Sequence, residues 1–241
     1  MGKLPLRQQW MIDKIESHYK HKFSKFFRTL WNEGMMDWMN GRTIASGESW
    51  SDTVYPEIRN NPPVLLHTGG LDFEMLSADE ILNFKFDEFW DTERHHFIPF
   101  AKTKEGDIFA LYKNLKTNTE SAVVCIWNDM NETEILAKNF EDFIFRKMLE
   151  AVYDIDKEEL EREYEDGFEG YRNDILCDLK SIRPHLNEEY VDKLEEIYHR
   201  DIVVVENVIS YSLLTHDELC TLIKKHLDFK ELDSVFEHEV N

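Results

Sequence analysis

The sequence predicts an α+β fold: an antiparallel or mixed sheet backed by helices, followed by a mainly helical C-terminal region. Three observations predict it. The first forty residues repeat apolar side chains at helical spacing. The middle alternates short β-rich runs with Gly and Asn turns. Beyond residue 152 the chain becomes strongly acidic and its apolar positions return largely to helical spacing.

Residues 6–40 read as helical, because Trp10, Ile12, Ile15, Tyr19, Phe23, Phe26, Phe27, Leu30 and Trp31 recur three or four apart. The polar face carries Lys14, Lys20, Lys22, Lys25 and Arg28, and Gly34 marks an end or a bend. Turn signals then cluster at Asn40-Gly41, Ser46-Gly47, Pro56 and Asn60-Asn61-Pro62-Pro63. They predict a long connection with a short helix or strand around Trp50–Tyr55. Val64–Thr68 leads into Gly69-Gly70, a tight turn with positive φ or close backbone approach. Leu71–Leu76 alternates like a strand, and Ser77 with Glu80 reads as a capping box opening a short helix. Phe97–Ala101, Ile108–Tyr112 and Ala122–Trp127 read as strands, the first carrying Pro99 at an edge position. Phe140–Val152 reads as a helix.

Asp154–Asp166 holds eight acids and two bases and begins a helix. Arg172–Arg183 and Glu188–Arg200 read as helices separated by Pro184. Ile202–Val205 suits a strand, Val208–Leu214 a strand or a buried helix, and Thr215 with Glu218 caps a last helix to Leu227. The expected division is therefore 1–152, an α+β domain including the N-terminal helix, and 153–241, an acidic and mostly helical region.

Hydrophobic residues make up 42% of the 241 positions, enough for a sizeable core. The net charge is -21, which repels nucleic-acid phosphates and anionic membranes and attracts cationic partners. The charge is uneven: residues 1–45 carry eight bases and four acids, 46–140 eight and seventeen, 141–241 twelve and twenty-eight. Cys125, Cys177 and Cys220 are odd in number and far apart, which fits reduced thiols better than a disulfide framework or a zinc site. The N-terminus lacks a signal-peptide core, and Leu6 stands where a myristoylation motif wants Ser or Thr. With no run long enough to span a membrane, the expectation is a cytoplasmic protein.

Motifs for chemistry are missing. Gly69-Gly70 lacks the remainder of a P-loop or a dinucleotide fingerprint, and there is no GxSxG, HExxH or EF-hand spacing. His95-His96 are adjacent, so they point apart and chelate poorly. The expectation is no catalytic residue, no cofactor and no metal; the alternative is a hydrolase or metal enzyme using His67 or His95 with nearby acids. A different feature favours binding. Phe84, Phe86, Phe89 and Trp90 interleave with Lys85, Asp87 and Glu88, and aromatic anchors ringed by acids suit a protein interface. The candidate contact residues are Asp72, Glu74, Asp87, Glu88, Phe89, Trp90, Asp91, Trp127 and Asp129.

Six segments in order carry a resemblance: Leu66-His67-Thr68-Gly69-Gly70 with Phe73; Leu76–Ile81; Phe97–Ala101; Gly106-Asp107 with Phe109-Ala110-Leu111; Val123-Val124 with Trp127; and Ala137–Ile144. Over about residues 55–152 the chain resembles the SUKH superfamily, which includes bacterial toxin-immunity proteins and a fungal cell-wall synthesis regulator. The resemblance implies a SUKH-like α+β sheet backed by helices and a non-enzymatic role: binding and neutralising a toxin, or scaffolding. The partner it implies is a cognate toxin with a basic effector domain, a nuclease among the candidates. Pro62-Pro63 interrupts the helix that usually leads into the Gly pair, and Tyr112-Lys113-Asn114 stands where the family often has an acidic residue after the Gly-Asp strand. Residues 153–241 lie outside the resemblance.

Overall fold

The computed structural model describes residues 6–70, 72–117, 120–203 and 210–240. In chain order these form α1 (Leu6–Tyr19), α2 (Lys25–Asn32), α3 (Trp50–Thr53), α4 (Tyr55–Ile58), β1 (Glu74–Met75), α5 (Ala78–Asn83), β2 (Phe97–Lys102), β3 (Ile108–Thr117) and β4 (Glu120–Ile126). Then follow β5 (Thr133–Ala137), α6 (Phe140–Glu150), β6 (Ile155–Asp156), α7 (Lys157–Glu163), α8 (Phe168–Ile182), α9 (Glu188–Tyr198), β7 (Ser210–Tyr211), α10 (His216–Leu227) and β8 (Val235–Phe236). The fold is α+β, as the patterning predicts. The residues divide into two compact units, each discontinuous in sequence: Met1–Asp37 with Leu71–Phe143 and Leu227–Asn241, and Trp38–Gly70 with Ile144–His226. Composition steps at 152/153, whereas the compact units part inside α6.

The first unit is built on a six-stranded sheet in the order β1-β2-β3-β4-β5-β8. Every ladder is antiparallel. Opposed residues share a face, so the register sorts the side chains into two layers. One face holds Phe100 and Phe109 against Phe140 and Phe143 of α6 and Phe73, with Phe27 of α2 edge-on to Phe140 at 4.8 Å. The other face is a buried cluster of Phe97, Ile108, Ala110, Ala122, Val124, Ile126 and Ile135. Phe84, Phe86, Trp90 and Phe229 pack against this second face from outside the sheet, and Phe236 of β8 packs against it from the sheet's own edge. None of them lies in a helix.

The single helix expected over 6–40 is two helices. Lys20 takes φ 49° and breaks the run, and the Ser24 hydroxyl accepts from the Phe27 N–H at 3.2 Å to start α2. Buried Glu16 binds this turn: it accepts from the Phe23 N–H at 3.0 Å and pairs with Lys22 and Arg28. Burial opposes its ionisation, but these partners outweigh that and hold its carboxyl below the usual range. Gly34, at φ 78°, follows the end of α2. The strand expected over 71–76 shortens to β1, because the capping box of Ser77 and Glu80 opens α5 at once. Pro99 sits at a bulge in the part of β2 that β1 does not reach, so its missing N–H costs no ladder bond on that side. Patterning misses β5 and β8 as strands; β8 is two residues long and is paired by β5, a hundred positions earlier.

The second unit is mostly helical. Phe145 stacks on Tyr190 at 4.0 Å, and Ile175, Leu179, Ile182, Leu194, Ile197, Leu213 and Leu214 are buried in its core. The connection after residue 40 contains two short helices, α3 capped by Ser49, and α4. Asp156 caps α7, and Thr215 with Glu218 forms the expected capping box of α10. Of the strand expected over Ile202–Val205, the described residues show a bridge from Val203 to Ser212, and β7 covers Ser210–Tyr211 of the second apolar run. Residues 204–209 lie outside the described residues.

Candidate protein-binding surface

The segment after α5 is where the sheet's second face meets solvent. Alternation turns Phe84 and Phe86 towards the sheet and leaves Lys85 and Asp87 exposed. Asp87 then makes a local turn: its carboxylate accepts from the Phe89 N–H at 3.1 Å and its carbonyl from the Trp90 N–H at 3.1 Å. The turn leaves Phe89 62% exposed while Trp90 packs inward against Phe86 and Phe97.

Two other segments are tied to this turn. The C-terminal stretch runs antiparallel to it, with the Val240 N–H donating to the Phe89 carbonyl and the Asp91 N–H to the His238 carbonyl, both at 2.8 Å. In the β4–β5 loop, the Asn131 side-chain oxygen accepts from the His238 and Glu239 N–H groups at 2.9 and 2.8 Å. Residues 238–240 thereby join three stretches far apart in sequence. Each brings an exposed apolar side chain: Phe89 at 62%, Met130 at 46% and Val240 at 63%.

Beneath this surface lie two buried histidines. His95 lies 2.8 Å from the Tyr112 hydroxyl and stacks on Phe236, while His238 lies 3.0 Å from the Thr133 hydroxyl and meets Trp90 edge-on at 4.8 Å. Burial lowers both imidazole pKa values. Arg94 and His96 add to the effect at His95 and Asp91 opposes it; at His238, Glu239 opposes it and His95 adds to it.

The sequence candidates fall in three places. Asp87, Glu88, Phe89, Trp90 and Asp91 share the turn, with Glu88 exposed and the Asp91 carboxylate accepting from the Arg94 N–H at 2.9 Å. Trp127 and Asp129 lie in the β4–β5 loop, Trp127 half-buried and Asp129 exposed. Asp72 and Glu74 lie on the β1 side of the sheet, where Lys104 meets Asp72 at 2.8 Å and Lys102 meets Glu74 at 3.5 Å. Sequence reasoning did not single out Met130, Glu132, Glu237, Glu239 or Val240. Glu237, Glu239 and Val240 carry one signal, the alternation Phe236-Glu237-His238-Glu239-Val240; Met130 and Glu132 carry none.

His67 belongs to a different network, in the second unit. Its side chain is buried, its Nδ1 lies 3.7 Å from Asp174 and its Nε2 3.2 Å from the Arg59 carbonyl. Asp174 also takes Arg59, Tyr55 and Tyr164. Asp178, one helical turn on, accepts from the His67 N–H and from the backbone and hydroxyl of Thr68. Burial pushes its carboxyl up to about 6, against these hydrogen bonds and the nearby His67. The His67-Thr68 segment thus acts as a structural anchor for α8. Among the described residues no group of three or more His, Cys, Asp or Glu side chains is placed to hold a metal ion, and no helix is long and apolar enough to cross a membrane. An open hollow lined by Leu76, Asp79, Glu80, Asn83, Phe84 and Lys102 contains neither His67 nor His95.

No curated protein and no solved structure matches the chain. The model of the SMI1 / KNR4 family (SUKH-1) does, over residues 8–146. The match starts earlier than the segments legible by eye, taking in α1 and α2, whose apolar faces supply helices to the sheet. It runs through β5 into α6 and covers more than half of the 241 residues, so the chain belongs to the SMI1 / KNR4 family (SUKH-1).

Proposed function

We propose that the protein is an immunity-type binding module, without catalysis of its own, that neutralises a cognate bacterial toxin carrying a basic effector domain such as a nuclease. The observation that carries this reading is the acidic turn at Asp87–Asp91, which holds Phe89 exposed on an otherwise well-packed sheet. An aromatic anchor flanked by carboxylates suits capture of a cationic surface: the field of a chain with net charge -21 speeds encounter, and the apolar contact adds affinity. The family supports a binding role. The buried, hydrogen-bonded settings of His67 and His95 weigh against the hydrolase alternative, because neither ring is presented to a substrate.

The test is co-expression in the cytoplasm of a bacterial host with the effector domain encoded beside this gene. Restored growth, and a complex whose affinity falls as salt rises, are the expected results. If the effector stays toxic and a pull-down returns housekeeping proteins instead, the role is that of a regulatory scaffold.

A further inference from the structure

The acids of the first unit are not equivalent. On the β1 side Asp72, Glu74 and Glu80 each lie within ion-pair distance of Lys104 or Lys102. The three stretches joined by residues 238–240 differ. Segments 85–91, 127–132 and 235–240 together contain seven carboxylates (Asp87, Glu88, Asp91, Asp129, Glu132, Glu237, Glu239) and one base, Lys85. Among the described residues none of those seven is ion-paired. The same three segments supply Phe89, Met130, Val235 and Val240, four of the five large apolar side chains that stand exposed among the described residues. Exposed apolar groups scattered singly are ordinary, but several gathered on hydrogen-bonded turns and ringed by unneutralised charge of one sign form a surface short of its complement.

We infer that this composite surface, completed by the C-terminal stretch 235–240, docks a cationic face of another protein, with Phe89, Met130 and Val240 as the apolar centre and the unpaired carboxylates as the rim. The inference rests on the binding role proposed above and names the surface that performs it. Charge complementarity selects the occupant: an anionic lipid or a nucleic acid would meet seven uncompensated carboxylates, whereas Lys and Arg side chains would neutralise them. The surface is preorganised, since Asp87, Asn131 and the Phe89 carbonyl already hold the three backbones together. Little ordering cost is then left for binding. Glu237, Glu239 and Val240 of this surface lie beyond residue 146, outside the stretch that matches the family, so the family's sheet with the 85–91 and 127–132 segments supplies most of the surface and the stretch 235–240 completes it.

Two arms test this. In the first, the isotope-labelled full-length protein is titrated with a synthetic peptide of alternating Lys and Leu. Backbone shifts gathering at 87–91, 129–132 and 237–240 are expected. Shifts gathering at Asp72 and Glu74 or along α7–α9, or none at all, overturn the surface. In the second, binding to the effector encoded beside this gene is measured for Phe89→Ser and Val240→Ser, with thermal unfolding to confirm that both fold. Each is expected to weaken binding at least about tenfold. Glu237→Gln with Glu239→Gln should flatten the salt dependence. Folded variants that bind like the wild type overturn the surface and leave the immunity reading standing. A wild-type protein that does not bind the effector overturns the immunity reading, and the peptide arm still decides the surface.

Discussion

The two sides of the sheet make opposite use of the same residue type. On the β1 side, Asp72 and Glu74 are spent on Lys104 and Lys102. On the β8 side, Glu237 and Glu239 have no ion-pair partner among the described residues, close in sequence to exposed Val240. Exposed ion pairs contribute little to stability and offer little net charge to a partner. Unpaired acids beside apolar groups contribute nothing to folding and much to encounter. The difference teaches that the net charge of an acidic protein says less about its partner than the places where that charge goes uncompensated.

The comparison can be broken first at its foundation. Phe97→Ala removes a buried ring from the cluster that seats Trp90 and Phe236, and should cost about 3–5 kcal/mol in denaturant unfolding. A much smaller loss would mean that the C-terminal stretch is not held by that face.

The pH dependence separates the sheet from the helical unit. The folded pKa values of His95 and His238 lie below the ordinary 6.5, so below about that pH the unfolded chain binds more protons. Stability should therefore fall as pH drops from 7 through 6.5, until the folded pKa values are reached. His238→Gln should shrink that loss, read as the urea midpoint at pH 7 and pH 5. Asp178 acts with the opposite sign. Its carboxyl is raised from 3.8 to about 6, so its contribution is fully present below 3.8 and is lost as pH rises through about 6. Asp178→Asn should make the acid loss steeper, and an unchanged slope would count against that assignment.

Smaller effects sharpen the contrast at the surface. Phe89→Ser should leave unfolding within about 0.5 kcal/mol of wild type, because the ring is already in water. A larger loss would turn Phe89 into a packing residue. On the other side, Asp72→Asn should cost about 0–1 kcal/mol and less at high salt, as an exposed pair with Lys104 allows.

Much of the fold was legible in the residues, and the reasons are local. The Ser77–Glu80 and Thr215–Glu218 boxes appear where their spacing puts them, since a cap is decided within four residues. β2, β3 and β4 follow from apolar runs between turn signals. The break at Lys20 was hidden because apolar spacing continues across it. Of the candidate surface, the Asp87–Asp91 turn was legible from its interleaved aromatics and acids. Met130 and Val240 were not, because their neighbours are set by hydrogen bonds to Asn131 and Phe89 across long stretches of chain.

The sequence by itself determined the α+β class, the acidic character and the amphipathic helices, because charge and periodicity are properties of neighbours along the chain. Only the tertiary structure decided which acids are neutralised and which are left bare. That choice depends on long-range strand pairing: β1 brings Glu74 beside Lys102, and the chain beyond β8 brings Glu239 and Val240 beside Trp90 and Phe89, where Glu239 is ion-paired with no described base.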